Sequence, residues 1–211
     1  MKGIWFDNIH SYTDLNLILS AVNIPPATPK TTYVDIPGGD GSLDLTEALG
    51  AVRYKNRECT FTFTVFPYED FEEKKTQISN ILNGIRYRIT LDKDSGYYWD
   101  GRCAINGYES DKNLHKIVIS ASVAPYKMKV DQTAVIISAG RNITGNLKNG
   151  RKTVVPTITT TSGADVVFGG NKYTLDVGAH TIANIQLKHG DNIVTVTSDN
   201  PVTFTYQEGD L

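Results

Sequence analysis

Histidine and cysteine are the side chains best suited to proton transfer, nucleophilic attack or metal binding. This chain has four of the first, His10, His115, His180 and His189, and two of the second, Cys59 and Cys103. No histidine pair has the spacing of a helical zinc site, and the cysteines form no CxxC unit. Cys59 lies in register with Phe61 and Phe63, which makes it a buried structural thiol. A Cys59–Cys103 bridge would require adjacent strands. Asp92-Lys93-Asp94-Ser95-Gly96 opens like a calcium loop, but glycine comes at the fifth position rather than the sixth. The twelfth position is Cys103 rather than glutamate. A hairpin turn fits this stretch better. Gly38-Gly39-Asp40-Gly41 lacks the GK[ST] ending of a phosphate loop and reads as a sharp turn. Asn142-Ile143-Thr144 matches the glycosylation triplet, which has meaning only with secretion. Acidic residues are scattered in turns, so no carboxylate pair stands out as acid and base. We therefore expect no catalytic residue, no metal and no cofactor.

The whole-chain numbers narrow the classes further. The 211 residues carry 21 Lys and Arg against 23 Asp and Glu, a formal charge of -2. A protein that grips nucleic acid over its whole surface needs clustered cations instead. No apolar run approaches the ~20 residues of a membrane helix. The best candidate, Leu15 to Ile24, contains Asn16, Ser20 and Asn23. Met1 to Asp7 has no export signal, so the thiols are expected to be reduced.

The elements that would position any site are mostly strands. Cys59, Phe61, Phe63 and Val65 alternate with Thr60, Thr62 and Thr64, the signature of a half-buried strand. His115 to Val123 repeats the pattern. Ile85 to Leu91 and Trp99 to Ile105 flank the Asp92–Gly96 turn as a hairpin. Tyr68 to Asn83 breaks the rule. Phe71, Ile78, Ile81 and Leu82 fall on one helical face, with acids in the first turn and Asn83-Gly84 as the stop. Asn23 to Leu49 holds Pro25, Pro26, Pro29 and Pro37 and leaves the compact body as an extended arm. Pro125 to Asp131 is a linker candidate.

Beyond Gln132 the texture changes. Of the chain's 7 Phe, 11 Tyr and 2 Trp, only Phe168, Tyr173, Phe204 and Tyr206 lie in this part. Short Thr- and Val-rich strands are expected at Val154 to Thr160, Asp165 to Phe168, Lys172 to Leu175, Thr181 to Leu187, Asn192 to Thr197 and Val202 to Tyr206. That pattern is a second β-sandwich. We divide the chain into residues 1–131 and 132–211. Lys148, Arg151 and Lys152 are the one basic cluster of the second part and read as a solvated loop. The alternative is docking to an acidic neighbour.

Asp35-Ile36-Pro37-Gly38-Gly39-Asp40-Gly41-Ser42-Leu43-Asp44-Leu45-Thr46 resembles the PGxDGxLDxT segment of the siphophage distal tail (Dit) proteins. As in that family, an aromatic strand, a helix and a hairpin follow. Leu187 to Val196 (LKHGDNIVTV) and Val202 to Leu211 (VTFTYQEGDL) resemble its closing strands. The resemblance implies a mainly β chain. Its N-terminal β-sandwich would have one α-helix and a protruding hairpin, and its C-terminal β-sandwich would be galectin-like. It implies a structural protein of the virion tail tip, made in the bacterial host cytoplasm. It also implies a hexameric ring joining the major tail tube protein to tail-associated or receptor-binding proteins, with a galectin-like sandwich outside the ring. The genome would pass through the bore without specific binding. At this length the chain resembles the short form, with no inserted carbohydrate-binding module.

If Leu15 to Thr32 is that hairpin, its apolar positions need a partner surface, because an isolated two-stranded ribbon is marginal in water. We therefore expect Leu15, Leu17, Leu19, Val22 and Ile24 to form the oligomer interface, with a second copy as partner. The competing reading is a carbohydrate-binding module docked on a host glycan. Tyr97, Tyr98 and Trp99 are its densest aromatic cluster, although a strand pair packing its own core explains them better. An enzyme, such as a cell-wall hydrolase, comes third.

Overall fold

The computed structural model describes residues 3–48, 50–66, 70–111 and 114–211. The chain falls into two compact units, Met1–Pro125 and Tyr126–Leu211.

In the first unit the strands are β1 (Ile4–Phe6), β2 (Ile9–His10), β3 (Leu17–Asn23), β4 (Tyr33–Asp35), β5 (Ser42–Asp44), β6 (Arg57–Val65), β7 (Arg86–Leu91), β8 (Tyr97–Asp111) and β9 (Leu114–Val123). One helix, α1 (Phe71–Leu82), separates β6 from β7. Seven strands form one antiparallel sheet in the order β2-β1-β7-β8-β9-β6-β3. At the turn joining β2 to β3, the N–H of Leu17, the first residue of β3, donates to the Ser11 carbonyl at 2.8 Å. Residues from both ends of the sheet, Ile4 and Phe6 on β1 and Leu17 on β3, share one core.

That core follows from the alternation. Cys59, Phe61, Phe63 and Val65 on β6 face Ile117, Ile119, Ala121 and Val123 on β9, all buried. Ile4, Phe6, Ile89 and Leu91 complete it from the other end of the sheet. Helix α1 adds Ile78 and Leu82. Its start is set by Asp70, whose carboxylate accepts from the N–H groups of Glu72 (2.9 Å) and Glu73 (3.0 Å). The helix ends one residue before Asn83, and Gly84 takes φ +78°. Tyr68 and Glu69, where the sequence expectation starts the helix, lie outside the described residues.

Strand β3 corrects the expected hairpin. Residues 17–23 are an edge strand of the main sheet, paired along their length with β6. The protruding ribbon is the next segment. Strands β4 and β5 bond to each other and form a separate two-stranded sheet. Its base continues through the Pro29–Tyr54 bridge and through bonds from Lys30 N to the Arg53 carbonyl (2.7 Å) and from Lys55 N to the Thr28 carbonyl (2.8 Å). The arm thus spans residues 28–55.

The second unit begins with β10 (Lys127–Lys129), which pairs with the C-terminal β19 (Gly209–Asp210). Residues 126–131 therefore go with the second unit, six residues earlier than the division drawn from the sequence. Between them lie β11 (Thr133–Ile137), β12 (Gly140–Asn146), β13 (Thr157–Thr160), β14 (Ala164–Phe168), β15 (Asn171–Leu175), β16 (Gly178–Thr181), β17 (Ile193–Ser198) and β18 (Val202–Tyr206). They form two four-stranded sheets, β11-β18-β13-β16 and β12-β17-β14-β15. Val166, Val194 and Val196 from one sheet and Ile158, Val202 and Phe204 from the other make a shared core. Asn192 ties the loops at one end, its Nδ2 donating to the Leu147 (3.0 Å) and Lys188 (2.8 Å) carbonyls. The expected strand at Thr181 to Leu187 lies earlier, at Gly178–Thr181, and Leu187 makes an isolated bridge to Val154.

Candidate functional site: an exposed arm and an arginine cleft

The two thiols and His10 are held in structural roles. Cys59 and Cys103 are both free and buried. Each pairs with Ala121, so β9 runs between them and they cannot be bridged. Burial pushes the Cys59 thiol up to about 11 and the Cys103 thiol up to about 12. Neither is a poised nucleophile.

Asp92 is the hub of the only dense polar cluster of the first unit with a histidine in it that we find among the described residues. Its Oδ2 accepts from Gly3 N (2.6 Å) and lies 3.2 Å from His10 Nε2, and its Oδ1 accepts from Trp5 Nε1 (2.9 Å). His10 Nδ1 lies 3.1 Å from Thr13 Oγ1. The order carboxylate, imidazole, hydroxyl imitates a catalytic triad. Yet His10 is buried, and Trp5 packs against its ring at 4.6 Å. The cluster instead pins β1 to the turn after β7. Burial raises the Asp92 pKa, but the Gly3, His10 and Trp5 donors together hold it below the usual carboxylate range. With its oxygens so occupied, Asp92 belongs to a hairpin turn, as the glycine spacing predicts.

The other three histidines sit on the surface or half-buried, His189 in an exposed bend. His115 stacks on Phe71 at 4.4 Å, and His180 Nε2 lies 2.8 Å from the Asp176 carbonyl oxygen. No group of three or more His, Cys, Asp or Glu that could hold a metal ion occurs among the described residues. Trp99 is buried, which removes the flat ring from the Tyr97-Tyr98-Trp99 cluster. Val202, Phe204 and Tyr206 share a buried face. In the basic cluster, Arg151 N donates to Asp210 Oδ1 (3.0 Å) and Lys152 Nζ lies 3.5 Å from Met128 Sδ.

Two surface features remain. The first is the arm. All six residues of β4 and β5 are exposed. Tyr33 is 57% exposed, Ile36 54%, Leu43 50% and Val34 45%. These side chains on an isolated ribbon form an unpartnered apolar surface. Between Lys30 and Arg53 the arm has Asp35, Asp40, Asp44 and Glu47 and no cation. The tip turns at Gly38 (φ +79°) and Gly41 (φ +74°), where a Cβ would meet nothing within 4 Å. The Thr46 hydroxyl and backbone N–H hold the Asp44 carboxyl below its usual range.

The second feature is a shallow cleft of about 390 Å³ on the outer face of β7 and β8, lined in part by Asn56, Arg86, Asp100, Arg102, Ser122 and Ala124. Arg86 lies directly across from Arg102 in the ladder. Arg86 grips Asp100 in a bidentate pair (2.6 and 2.9 Å), which holds that carboxyl low. Arg102 donates one Nη1 bond to the Gly84 carbonyl (2.5 Å).

The expected interface residues are redistributed. Leu15 and Leu17 are 3% and 0% exposed, in the core of their own unit. Leu19, Val22 and Ile24 are partly buried against it. The alternation that suggested a free ribbon is that of an edge strand whose partner, β6, is supplied by the same chain. The apolar residues left unpartnered are those of the arm. Their signal in the sequence was the Tyr33-Val34 and Leu43-Asp44-Leu45 runs around a glycine turn.

No protein-family model matches the chain, and no curated protein matches it by sequence. A match appears among solved structures. The SPP1 Dit (gp 19.1) protein, described as a paradigm of the hub adsorption apparatus in phages infecting Gram-positive bacteria, superposes with a TM-score of 0.71. The identity is 15%, and the match covers 98% of this chain and 99% of that one. From its first sheet to its closing strands, this chain has the fold of a Dit protein.

Proposed function

We propose that this chain is a distal tail hub protein of a siphophage or prophage, working as a structural ring at the virion tail tip. The Met1–Pro125 unit builds a hexameric ring. The ring joins the tail tube to the tail-associated or receptor-binding proteins, and the genome passes through its bore unrecognised. The Tyr126–Leu211 sandwich, galectin-like in the family resemblance, serves as a docking module. The reading assigns the molecule packing and subunit contacts and no catalysis.

The observation that carries the proposal is the arm of residues 28–55 on a Dit-like fold. It exposes apolar side chains on both strands of a ribbon that its own unit leaves uncovered. Such a ribbon gains its stability between copies, and a head-to-tail contact that closes makes a ring. Negative-stain images of the purified protein test the proposal. We expect discrete rings with a central hole. Solitary particles that bind glycans on an array would instead favour the carbohydrate-binding reading.

A further inference from the structure

The arm and the cleft are complementary, and we propose that the acidic arm tip of one copy seats in the arginine cleft of the next. The inference rests on the ring reading and names the surface that receives the arm.

The arm needs a cationic partner. Asp35, Asp40, Asp44 and Glu47 follow one another with no Lys or Arg between Lys30 and Arg53. Carboxylates and apolar side chains on the same slender ribbon suit a site that is concave and basic. The tip offers Asp40 between glycines, where the backbone is bare enough to enter a shallow cleft.

The cleft needs an anion. Arg86 and Arg102 are direct cross-strand neighbours, and like charges placed opposite one another are unfavourable. Asp100 answers only one of them, gripping Arg86 with both oxygens. Arg102 touches a backbone carbonyl, a neutral acceptor, and its planar fork retains donors for a carboxylate. Arg88, next on the same face, lies over the Tyr98 ring at 4.9 Å and directly across from Asp100, so one carboxylate is shared among three arginines. Asp7 and Glu58 are the acidic residues nearest this face in the sheet register. Arg88 N already donates to Asp7 Oδ1 at 2.9 Å, and Glu58 stands two strands from Arg102 with Ser122 between them. Asn56 and Ser122 supply neutral hydrogen-bonding groups at the cleft wall.

The contact is heterologous, arm to cleft, so each copy offers one of each, the kind of contact that makes a ring when its rotation closes. It also separates two roles. The apolar ribbon supplies burial, and the Asp40–Arg102 pair fixes where the ribbon lands and steers its approach.

Charge reversal at two exposed positions tests this. Asp40→Lys and Arg102→Glu are made singly and together, leaving the Arg86–Asp100 pair intact. Light scattering with size-exclusion chromatography then reads the protein concentration at which half is assembled. Each single reversal is expected to raise it about tenfold or more, and the double reversal to bring it back towards wild type. Unchanged thermal unfolding of the single variants shows that they fold. A wild-type ring that both single variants form equally well would overturn the docking and leave the ring reading standing. A double variant as weak as the singles would do the same. A wild-type protein that stays monomeric would remove both.

Discussion

At the residue scale, the two cysteines make the sharpest chemical statement. Folding holds both thiols neutral, at about 11 and about 12 against an ordinary 9.0. Stability gained this way is fully present below about pH 9. It is lost as pH rises through the folded values, because only the unfolded chain readily gives up these protons. The urea midpoint is therefore expected to hold below ~pH 9 and to fall from there towards ~pH 11–12, and a Cys59→Ser/Cys103→Ser variant should show a shallower fall. A thiol reagent should leave both groups unmodified in native protein and titrate both in urea. Rapid native labelling would contradict the burial. Sequence showed that Cys59 faces inward, from its register with Phe61 and Phe63. It could not show that Ala121 stands between Cys59 and Cys103, because which strands are neighbours is decided by the order β8-β9-β6 and not by local alternation. Asp92 was legible as a turn residue. Its three donors come from Gly3, Trp5 and His10, more than 80 positions away, and no spacing rule reaches that far.

At the element scale, strands and helix were readable wherever one face is buried by the chain itself. Helix α1 followed from Phe71, Ile78, Ile81 and Leu82 at helical spacing, while Asp70, read as a first-turn acid, proves to be its cap. Strands β6 and β9 followed from strict alternation. In the second unit β11 and β12 were missed, as were the short β10 and β19. β11 alternates in burial, but its outward Ile136, 68% exposed, hides that period in the residues, and β12 is too polar to show one. The hairpin was expected one segment too early for a related reason. Leu15, Leu17 and Leu19 read as an apolar ribbon in want of cover, and that cover is β6. The difference between edge strand and arm can be measured. Leu17→Ala is expected to cost about 2–5 kcal/mol of folding stability, as for other large-to-small changes in a packed core. Ile36→Asp, on the exposed arm, should change stability by only about 0.5 kcal/mol while weakening self-association. Urea unfolding and sedimentation velocity on the two variants separate these outcomes. An Ile36→Asp protein that unfolds easily but assembles normally would reverse the assignment.

At the scale of the whole molecule, the chain is two self-contained cores with an arm that neither needs for its own burial. The two-part organisation was visible in the loss of aromatic residues beyond Gln132. The boundary fell six residues off because β10 is held by the last strand of the chain, a pairing between residues 127 and 210. The central claim is that the arm of residues 28–55 exists to join copies. The most direct measurement compares the mass in solution of the full chain with that of a variant in which residues 31–52 are replaced by an Asn-Gly turn. Lys30 and Arg53 already bond across the ribbon, so a two-residue turn closes it there. We predict a discrete oligomer for the full chain and a folded monomer, with the same thermal unfolding, for the trimmed one. Equal masses for the two proteins would contradict the account.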